Sequence, residues 1–243
     1  MLVTIKHTGK HVEFGKHLHV VLPDSKPPKN GFKVLYVLHG YYGDFTDWLY
    51  LSNIIRYDRP NDVMLVFPDA SNSYYVNHPN GLQYESYITE DLIELIEQTF
   101  HVSSRSEDRY IVGLSMGGYG ALYLGLKYSN LFSRVYSLSG VVFPSDIVKH
   151  LSESRIYKFE TMFDINNLSQ YDLLPYAKES VLKHHTRLML ICGKQDFLYQ
   201  DNLQFHQSLV KHHIQHVWIE DEGTHNWDFW DTHIKTVLID LKK

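Results

Sequence analysis

The sequence contains very little cysteine and no long hydrophobic run. Cys192 is its single cysteine, which excludes an internal disulfide and suits a reducing compartment. No apolar segment reaches the roughly 18 residues that a membrane-spanning helix needs. The first residues also lack the basic stretch and apolar core of an export signal. We therefore expect a soluble, cytoplasmic protein without a membrane span.

The sequence also has no excess of positive charge. Lysine and arginine number 23 against 28 aspartate and glutamate residues, which gives a net charge of −5, so nucleic acid is not an expected partner. No glycine loop with a lysine is present to cradle phosphates. His212 and His216 lack the H-E-x-x-H pattern and a suitably placed acid, which argues against a metal site. We expect no cofactor and no metal, and a small molecule as the partner.

Strand-like and helix-like segments alternate along most of the chain. Alternating apolar and polar residues at 2–6 and 12–22 predict an opening antiparallel hairpin. Further strands are predicted at 32–38, 63–67, 109–112, 134–139, 187–192 and 216–220, and helices at 45–57, 89–100, 116–128, 203–211 and 227–241. This order predicts an α/β fold with a mostly parallel central sheet and helices on both faces. We expect residues 1–243 to form a single domain.

One long segment interrupts that alternation. Residues 144–185 contain no strand-like run and carry scattered aromatic and charged side chains. We interpret this segment as a short helical insertion over the strand ends, which would make it a lid or a pocket wall.

The pentapeptide Gly113-Leu114-Ser115-Met116-Gly117 lies where a buried strand gives way to a helix. This is the pattern of a nucleophile elbow, in which the serine occupies a strained, exposed bend and the glycines allow strand and helix to approach closely. The alternative is a glycine-rich turn with an ordinary serine. The strand before it and the helix after it favour the elbow, so Ser115 is the predicted nucleophile.

A serine nucleophile needs a base, and the base needs a group that orients it. His225 follows the last predicted strand and precedes the last helix, which makes it the predicted base. Asp196 follows the preceding strand and fits the chain order Ser, Asp or Glu, His that α/β-hydrolases use. Its rivals are Asp201, at the expected start of a helix, and Asp221 and Glu222, which lie too close to His225 in the chain.

Two backbone amides should bind the oxyanion of the tetrahedral intermediate. The predicted donors are Met116, directly after the nucleophile, and Tyr41, in the loop after an early strand. His39 lies in the same loop. Its two interpretations are a catalytic group and a buttress that holds the loop through hydrogen bonds, and the second is favoured.

Cys192 is a weak competitor as nucleophile, because it ends an apolar strand where a small hydrophobic residue packs well.

The chain resembles the esterase D family over nearly its whole length. The motifs that carry the resemblance occur in the family's order: Leu38-His39-Gly40, Asp47-Trp48, Asn72-Ser73-Tyr74-Tyr75, Gly113 to Ala121, Gly193 to Leu198 and His225-Asn226-Trp227. The resemblance, which looks closest to the bacterial tributyrin esterases, implies an α/β-hydrolase fold, a preference for short acyl chains and a homo-oligomer, either dimer or tetramer. The chain has Tyr74-Tyr75 where the family commonly has Trp-Tyr, which bears on substrate details.

Aromatic residues are abundant, with 18 tyrosines, 12 phenylalanines and 4 tryptophans, and they can serve a core, a pocket or an interface. Trp48, Tyr74 and Phe143 are the predicted acyl-pocket residues, although each fits a core position equally well. The expected function is hydrolysis of short-chain carboxylic esters through an acyl-enzyme. The alternatives are an S-formylglutathione hydrolase-like thioesterase, an acyltransferase with the same triad, and a scaffold that binds without turnover.

Overall fold

A computed structural model describes residues 1–59, 62–143 and 159–242. Within them, eight strands form one sheet, and they are β1 (Leu2–His7), β2 (Lys16–Val21), β3 (Lys33–Leu38), β4 (Val63–Pro68), β5 (Arg109–Leu114), β6 (Arg134–Leu138), β7 (Arg187–Gly193) and β8 (Val217–Asp221). Their order across the sheet is β1-β2-β4-β3-β5-β6-β7-β8. The pairs β1–β2 and β2–β4 are antiparallel, and all other neighbouring pairs are parallel. The predicted mostly parallel sheet with an opening hairpin is therefore confirmed.

The central strands are buried on both faces, as the continuous apolar runs predict. Every residue of β4 and β5 is buried. In β3, Val34, Tyr36 and Leu38 face one hydrophobic cluster, while Leu35 and Val37 face a second. Because successive strand residues point to opposite faces, the sheet separates two cores.

Helices cover both of these cores. The α-helices are Asp47–Leu51, Ile54–Asp58, Met116–Lys127, Leu173–His184, Tyr199–Lys211 and Trp227–Asp240. One further helix begins at Tyr84–Ser86, continues through a π-helical turn at Tyr87–Asp91 and ends with Leu92–Thr99. Two short 3₁₀ segments are Ser106–Asp108 and Ile165–Tyr171. The helix Met116–Lys127, here called the elbow helix, packs in the first cluster, and the C-terminal helix Trp227–Asp240 packs in the second. Within the described residues no helix combines the length and apolar character needed to cross a membrane.

Several element boundaries differ from the sequence expectations. The second strand begins at Lys16 rather than at residue 12, because His11 turns aside and its amide donates to the Asp91 carboxylate at 2.9 Å. The predicted helix 45–57 is broken where the Ser52 hydroxyl donates to the Trp48 carbonyl at 2.5 Å. The helix expected from residue 89 begins at Tyr84 and carries the π-helical turn.

The expected insertion 144–185 is described only in its second part, since residues 144–158 lie outside the described residues. Residues 159–162 are helical, and the helix Leu173–His184 packs on the elbow helix. The Tyr119 hydroxyl of the elbow helix donates to the Tyr171 carbonyl at 3.1 Å. This part of the segment is therefore fastened to the helix that follows Ser115.

Candidate active site

Ser115 occupies a sharp turn between β5 and the elbow helix. Its backbone has φ 53° and ψ −118°, a conformation that costs a non-glycine residue energy and is typical of functional positions. A Cβ added at Gly113 would lie 2.1 Å from the Gly117 carbonyl oxygen, and one at Gly117 would lie 2.5 Å from the His39 carbonyl oxygen. Strand, helix and neighbouring loop therefore approach too closely for any residue but glycine.

The three side chains selected from the sequence come together at this turn. The Ser115 Oγ lies 2.9 Å from His225 Nε2. His225 Nδ1 lies 2.8 Å from Asp196 Oδ2 and 3.0 Å from Oδ1. Because a carboxylate only accepts, Nδ1 carries the proton, and Nε2 is left to accept from the serine hydroxyl. This is the arrangement that a Ser-His-Asp triad requires.

Asp196 is held by its own loop. Its side chain is fully buried, and Oδ1 also accepts a hydrogen bond from the Leu198 amide at 2.8 Å. The neighbouring Gln195 is bonded to Gly223 in both directions, through its amide at 3.0 Å and its side-chain oxygen at 2.7 Å. The acid loop and the histidine loop are thus tied together, which sets the distance between carboxylate and imidazole.

The rival carboxylates have other partners or positions. Asp201 lies in the first turn of the helix Tyr199–Lys211. Asp221 Oδ2 is 3.7 Å from His233 Nε2, and Glu222 accepts from the Gln195 side chain at 2.5 Å. Asp196 is the carboxylate that meets His225.

Two aromatic rings that the sequence reasoning missed enclose the His225 imidazole. The Trp230 ring lies 4.9 Å from it at 87° and the Phe197 ring 4.5 Å from it at 49°. Trp230 is fixed in turn, because its Nε1 donates to the Ser139 hydroxyl at 3.2 Å. The available signals in the sequence were weak: Phe197 directly follows the acid, and Trp230 lies in the first turn of the helix that follows the base.

His39 supports the loop that carries Tyr41. Its Nδ1 donates to the Gly40 carbonyl at 2.8 Å and its Nε2 accepts from the Ala70 amide at 3.1 Å. The Tyr75 hydroxyl donates to the His39 carbonyl at 3.0 Å. Burial lowers the pKa of His39, so the ring stays neutral and both nitrogens are engaged. These contacts bear out the buttress rather than the catalytic group.

The two predicted oxyanion donors lie on the segments that border Ser115. A Cβ at Gly40, the residue before Tyr41, would lie 3.6 Å from the Ser115 Cβ, so this loop runs beside the nucleophile. Met116 is the first residue of the elbow helix, where backbone amides and the helix dipole favour negative charge.

The three predicted pocket residues lie in different surroundings, and only Tyr74 has a described contact with the segments that border Ser115. Tyr74 is half-buried, its ring 5.8 Å from that of Tyr41, and its amide donates to the Met116 sulfur at 3.4 Å. Phe143 is half-buried with its ring 6.2 Å from that of Phe205. The prediction for Trp48 is wrong.

Trp48 is a core residue. Its side chain is 1% exposed, its Nε1 donates to the Leu38 carbonyl at 3.0 Å, and its ring packs 5.1 Å from that of Trp227. Because the second hydrophobic cluster covers the ring and its Nε1 is already hydrogen-bonded, Trp48 does not line an acyl pocket.

Other reactive groups do not compete at this site. Burial raises the pKa of the Cys192 thiol to about 12, so the thiolate that nucleophilic attack requires is scarce at neutral pH. In the part of the chain that the structure describes, no group of three or more histidine, cysteine, aspartate and glutamate side chains is arranged to hold a metal ion. The Ser115 hydroxyl, 2.9 Å from His225 Nε2, has the geometry that acyl transfer through a serine requires.

Comparisons with known proteins agree with this chemistry. A family model described as "Putative esterase" matches residues 13–241. An acetyl esterase from Caldicellulosiruptor saccharolyticus is 30% identical, with 96% of this chain and 95% of that protein covered.

Solved structures extend the likeness to three dimensions. The S-formylglutathione hydrolase FrmB from Staphylococcus aureus has a TM-score of 0.88 at 27% identity, covering 100% of this chain and 99% of its own. FphF, a fluorophosphonate-binding serine hydrolase from Staphylococcus aureus, has a TM-score of 0.90 at 27% identity, covering 100% and 98%. The chain therefore belongs to the family described as "Putative esterase", and it is an esterase D-like serine esterase, a carboxylic ester hydrolase with the α/β-hydrolase fold.

Proposed function

We propose that this esterase hydrolyses short-chain acyl esters through an acyl-enzyme, with Ser115 as nucleophile, His225 as base and then acid, and Asp196 as the group that orients His225. The observation that carries the proposal is the continuous hydrogen-bonded path from the Ser115 Oγ through both nitrogens of His225 to the buried Asp196 carboxylate. A hydroxyl so paired becomes an effective nucleophile at neutral pH.

Acylation begins when the Ser115 Oγ attacks the ester carbonyl carbon and its proton moves to His225 Nε2. The carbonyl π electrons move onto the oxygen, where the amides of Tyr41 and Met116 stabilise the negative charge. A single donor of this kind is worth about 2.7–4 kcal/mol of activation free energy. The Asp196 carboxylate stabilises the imidazolium that forms beside it.

The tetrahedral intermediate then collapses. The bond between the carbonyl carbon and the leaving oxygen breaks, and His225 transfers its proton to the departing alcohol. Water repeats the sequence on the acyl-enzyme: His225 takes a proton from water, the hydroxyl adds to the carbonyl carbon, and Ser115 leaves with the proton that His225 returns. The products are an alcohol and a carboxylic acid.

Aromatic packing beside the elbow supports a preference for short acyl groups. The Tyr74 ring, whose residue is anchored to Met116 by its amide, lies 5.3 Å from Phe163 and 6.4 Å from Phe159. Phe143 adds a further half-buried ring after β6. Bulky rings leave a slot that suits a small acyl group better than a long chain. The relative named as an acetyl esterase points the same way.

A thioesterase is the second candidate, favoured by the likeness to the S-formylglutathione hydrolase of Staphylococcus aureus. The same triad would expel a thiol instead of an alcohol. Rates for p-nitrophenyl esters from acetate to octanoate, compared with S-formylglutathione, separate the two: dominant thioester turnover would overturn the carboxylester assignment. Transesterified product on addition of alcohol or sugar acceptors would instead support an acyltransferase, which uses the same acyl-enzyme.

The triad itself is tested by labelling with a fluorophosphonate, which reacts with an activated serine. We expect the wild-type protein to be labelled and Ser115→Ala to remain unlabelled and inactive. Ser208→Ala is the control, because Ser208 is a serine of the helix Tyr199–Lys211 whose hydroxyl donates to the Gln204 carbonyl at 2.9 Å, and it should label. A wild-type protein that does not react would support a scaffold that binds without turnover.

We further propose that residues 1–243 form one domain that works in the cytoplasm as a dimer or tetramer. The family resemblance supports the assembly, and exposed apolar side chains such as Tyr50 and Leu51, 78% and 50% exposed, offer surface for it. A single buried cysteine suits the compartment. Light scattering coupled to size exclusion measures the assembly, and a monomer would contradict it.

A further inference from the structure

Phe197 is a large apolar side chain left in solvent beside the catalytic histidine. It is 76% exposed, whereas phenylalanine is usually buried. The residues on both sides of it are fixed, because Asp196 is buried and accepts the Leu198 amide at 2.8 Å, and Leu198 is itself 5% exposed. The exposed ring therefore projects from an anchored turn.

His225 is held in place by other residues, without requiring a contribution from the Phe197 ring. Asp196 already binds Nδ1, and the Trp230 ring, 6% exposed, packs against the imidazole from the protein interior. Phe197 contacts the imidazole from the solvent side at 4.5 Å between ring centroids and keeps most of its surface uncovered. That surface remains available to a molecule bound next to His225.

The chemistry decides which part of a substrate lies there. His225 Nε2 must reach the leaving oxygen to protonate it, so the alcohol portion of the ester departs past the imidazole. The acyl portion lies instead toward the oxyanion donors, on the side of Met116 and Tyr74. The alcohol portion is therefore the part that meets the Phe197 ring.

The surroundings of Phe197 favour an apolar rather than a charged group. Lys194 and Glu222, one on each of the two adjoining loops, lie 3.5 Å apart as an ion pair. Glu222 also accepts from the Gln195 side chain at 2.5 Å. With these polar groups engaged with one another, the exposed ring is the recognition feature that the acid loop presents.

We propose that Phe197 forms a leaving-group subsite for esters whose alcohol carries a flat apolar face, such as an aromatic ring. The inference rests on the proposed esterase mechanism and specifies its substrate class on the alcohol side. An aromatic pair contributes about 0.5–1.5 kcal/mol beyond the area that it buries. The gain acts during acylation, while the alcohol is still attached, and disappears after it has left.

The test compares two acetate esters whose alcohols are similarly poor leaving groups, benzyl acetate and ethyl acetate. Both form the same acetyl-enzyme, so differences between them arise before deacylation. For Phe197→Ala we expect the ratio of kcat/KM for benzyl acetate to kcat/KM for ethyl acetate to fall about tenfold, which corresponds to about 1.4 kcal/mol. Phe197→Tyr keeps the ring and should retain the benzyl preference.

Phe14→Ala is the matched control, since Phe14 is 53% exposed on the N-terminal loop, and it should leave both rates unchanged. An equal loss for the two esters would mean that Phe197 only positions His225, and no loss for either would mean that the ring binds nothing; both overturn the subsite. Failure of the esterase mechanism is a different result, because the wild-type protein would then neither hydrolyse acetates nor react with a fluorophosphonate.

Discussion

Replacing Asp196 by asparagine changes one atom in the hydrogen-bonded path and should abolish most of the activity. Asparagine keeps an oxygen for the Leu198 amide, which Oδ1 now accepts at 2.8 Å. Its NH₂ group then faces His225 Nδ1, where the carboxylate Oδ2 now accepts at 2.8 Å. The NH₂ group and a protonated Nδ1 are both donors and cannot form a hydrogen bond with each other, so His225 adopts the tautomer with the proton on Nε2. The nitrogen that should accept the Ser115 proton is then occupied.

The loss is large because the base is in the wrong form and its imidazolium has no negative partner. We expect kcat for p-nitrophenyl acetate to fall about 10³–10⁴-fold, or ~4–5.5 kcal/mol in activation free energy. The melting temperature should change by no more than a few degrees, since the side chains have the same shape and the Leu198 bond survives. Steady-state kinetics and calorimetry on the same preparation separate catalysis from stability.

Asp201→Asn is the matched control. Asp201 is a neighbouring aspartate in the first turn of the helix Tyr199–Lys211, so its loss should leave kcat within about twofold. If Asp196→Asn retained kcat within tenfold of wild type, the claim that this carboxylate sets the His225 tautomer would be refuted. If Asp201→Asn lost activity to the same degree, the assignment of the acid would have to move.

Three further predictions concern the supports of the site and of the sheet. Gly117→Ala should lower the free energy of unfolding, measured in urea, by about 1–3 kcal/mol and should also reduce kcat. The reason is that the new Cβ would lie 2.5 Å from the His39 carbonyl oxygen. A variant with wild-type stability and wild-type activity would contradict this. Cys192 should resist iodoacetamide at pH 8 in the folded protein and react after unfolding, because burial raises its pKa to about 12; rapid labelling of the native protein would disprove its burial. Burial alone would raise the pKa of Asp240, but hydrogen bonds led by Arg187 hold it below the ordinary value of 3.8. Wild type should therefore be more stable than Asp240→Asn above about pH 4, with the difference shrinking as the pH falls through the lowered pKa; a difference in unfolding free energy that grows in acid would contradict the ion pair.

The meeting of Ser115, Asp196 and His225 could be predicted because each lies in the connection that follows one of three parallel strands of the sheet. β5, β7 and β8 run in the same direction, so their carboxyl ends share an edge and the loops after them are neighbours. Chain order and strand assignment were therefore enough to choose Asp196 over Asp221 and Glu222. Their catalytic roles remain the proposal that labelling tests.

The positions of single aromatic side chains could not be predicted in this way. Trp48 also follows a post-strand loop, yet its short helix turns the ring inward against Trp227. The start of the helix at Tyr84 was missed because the π-helical turn at Tyr87–Asp91 interrupts the 3.6-residue period on which the prediction relied. For Trp48 the deciding contact is made with a residue distant in the chain.

The succession of strands and helices along the chain, the elbow and the three chemical groups follow from local pattern, because backbone preference and glycine spacing act over a few neighbouring residues. The tautomer of His225, the enclosure of its ring by Trp230 and Phe197, and the removal of Trp48 from the site depend on tertiary structure alone. They arise when separate segments of the chain pack together, as the loop of Asp196 does with the loop of His225 and as Trp48 does with Trp227. Packing complementarity between such segments leaves no periodic trace in the sequence.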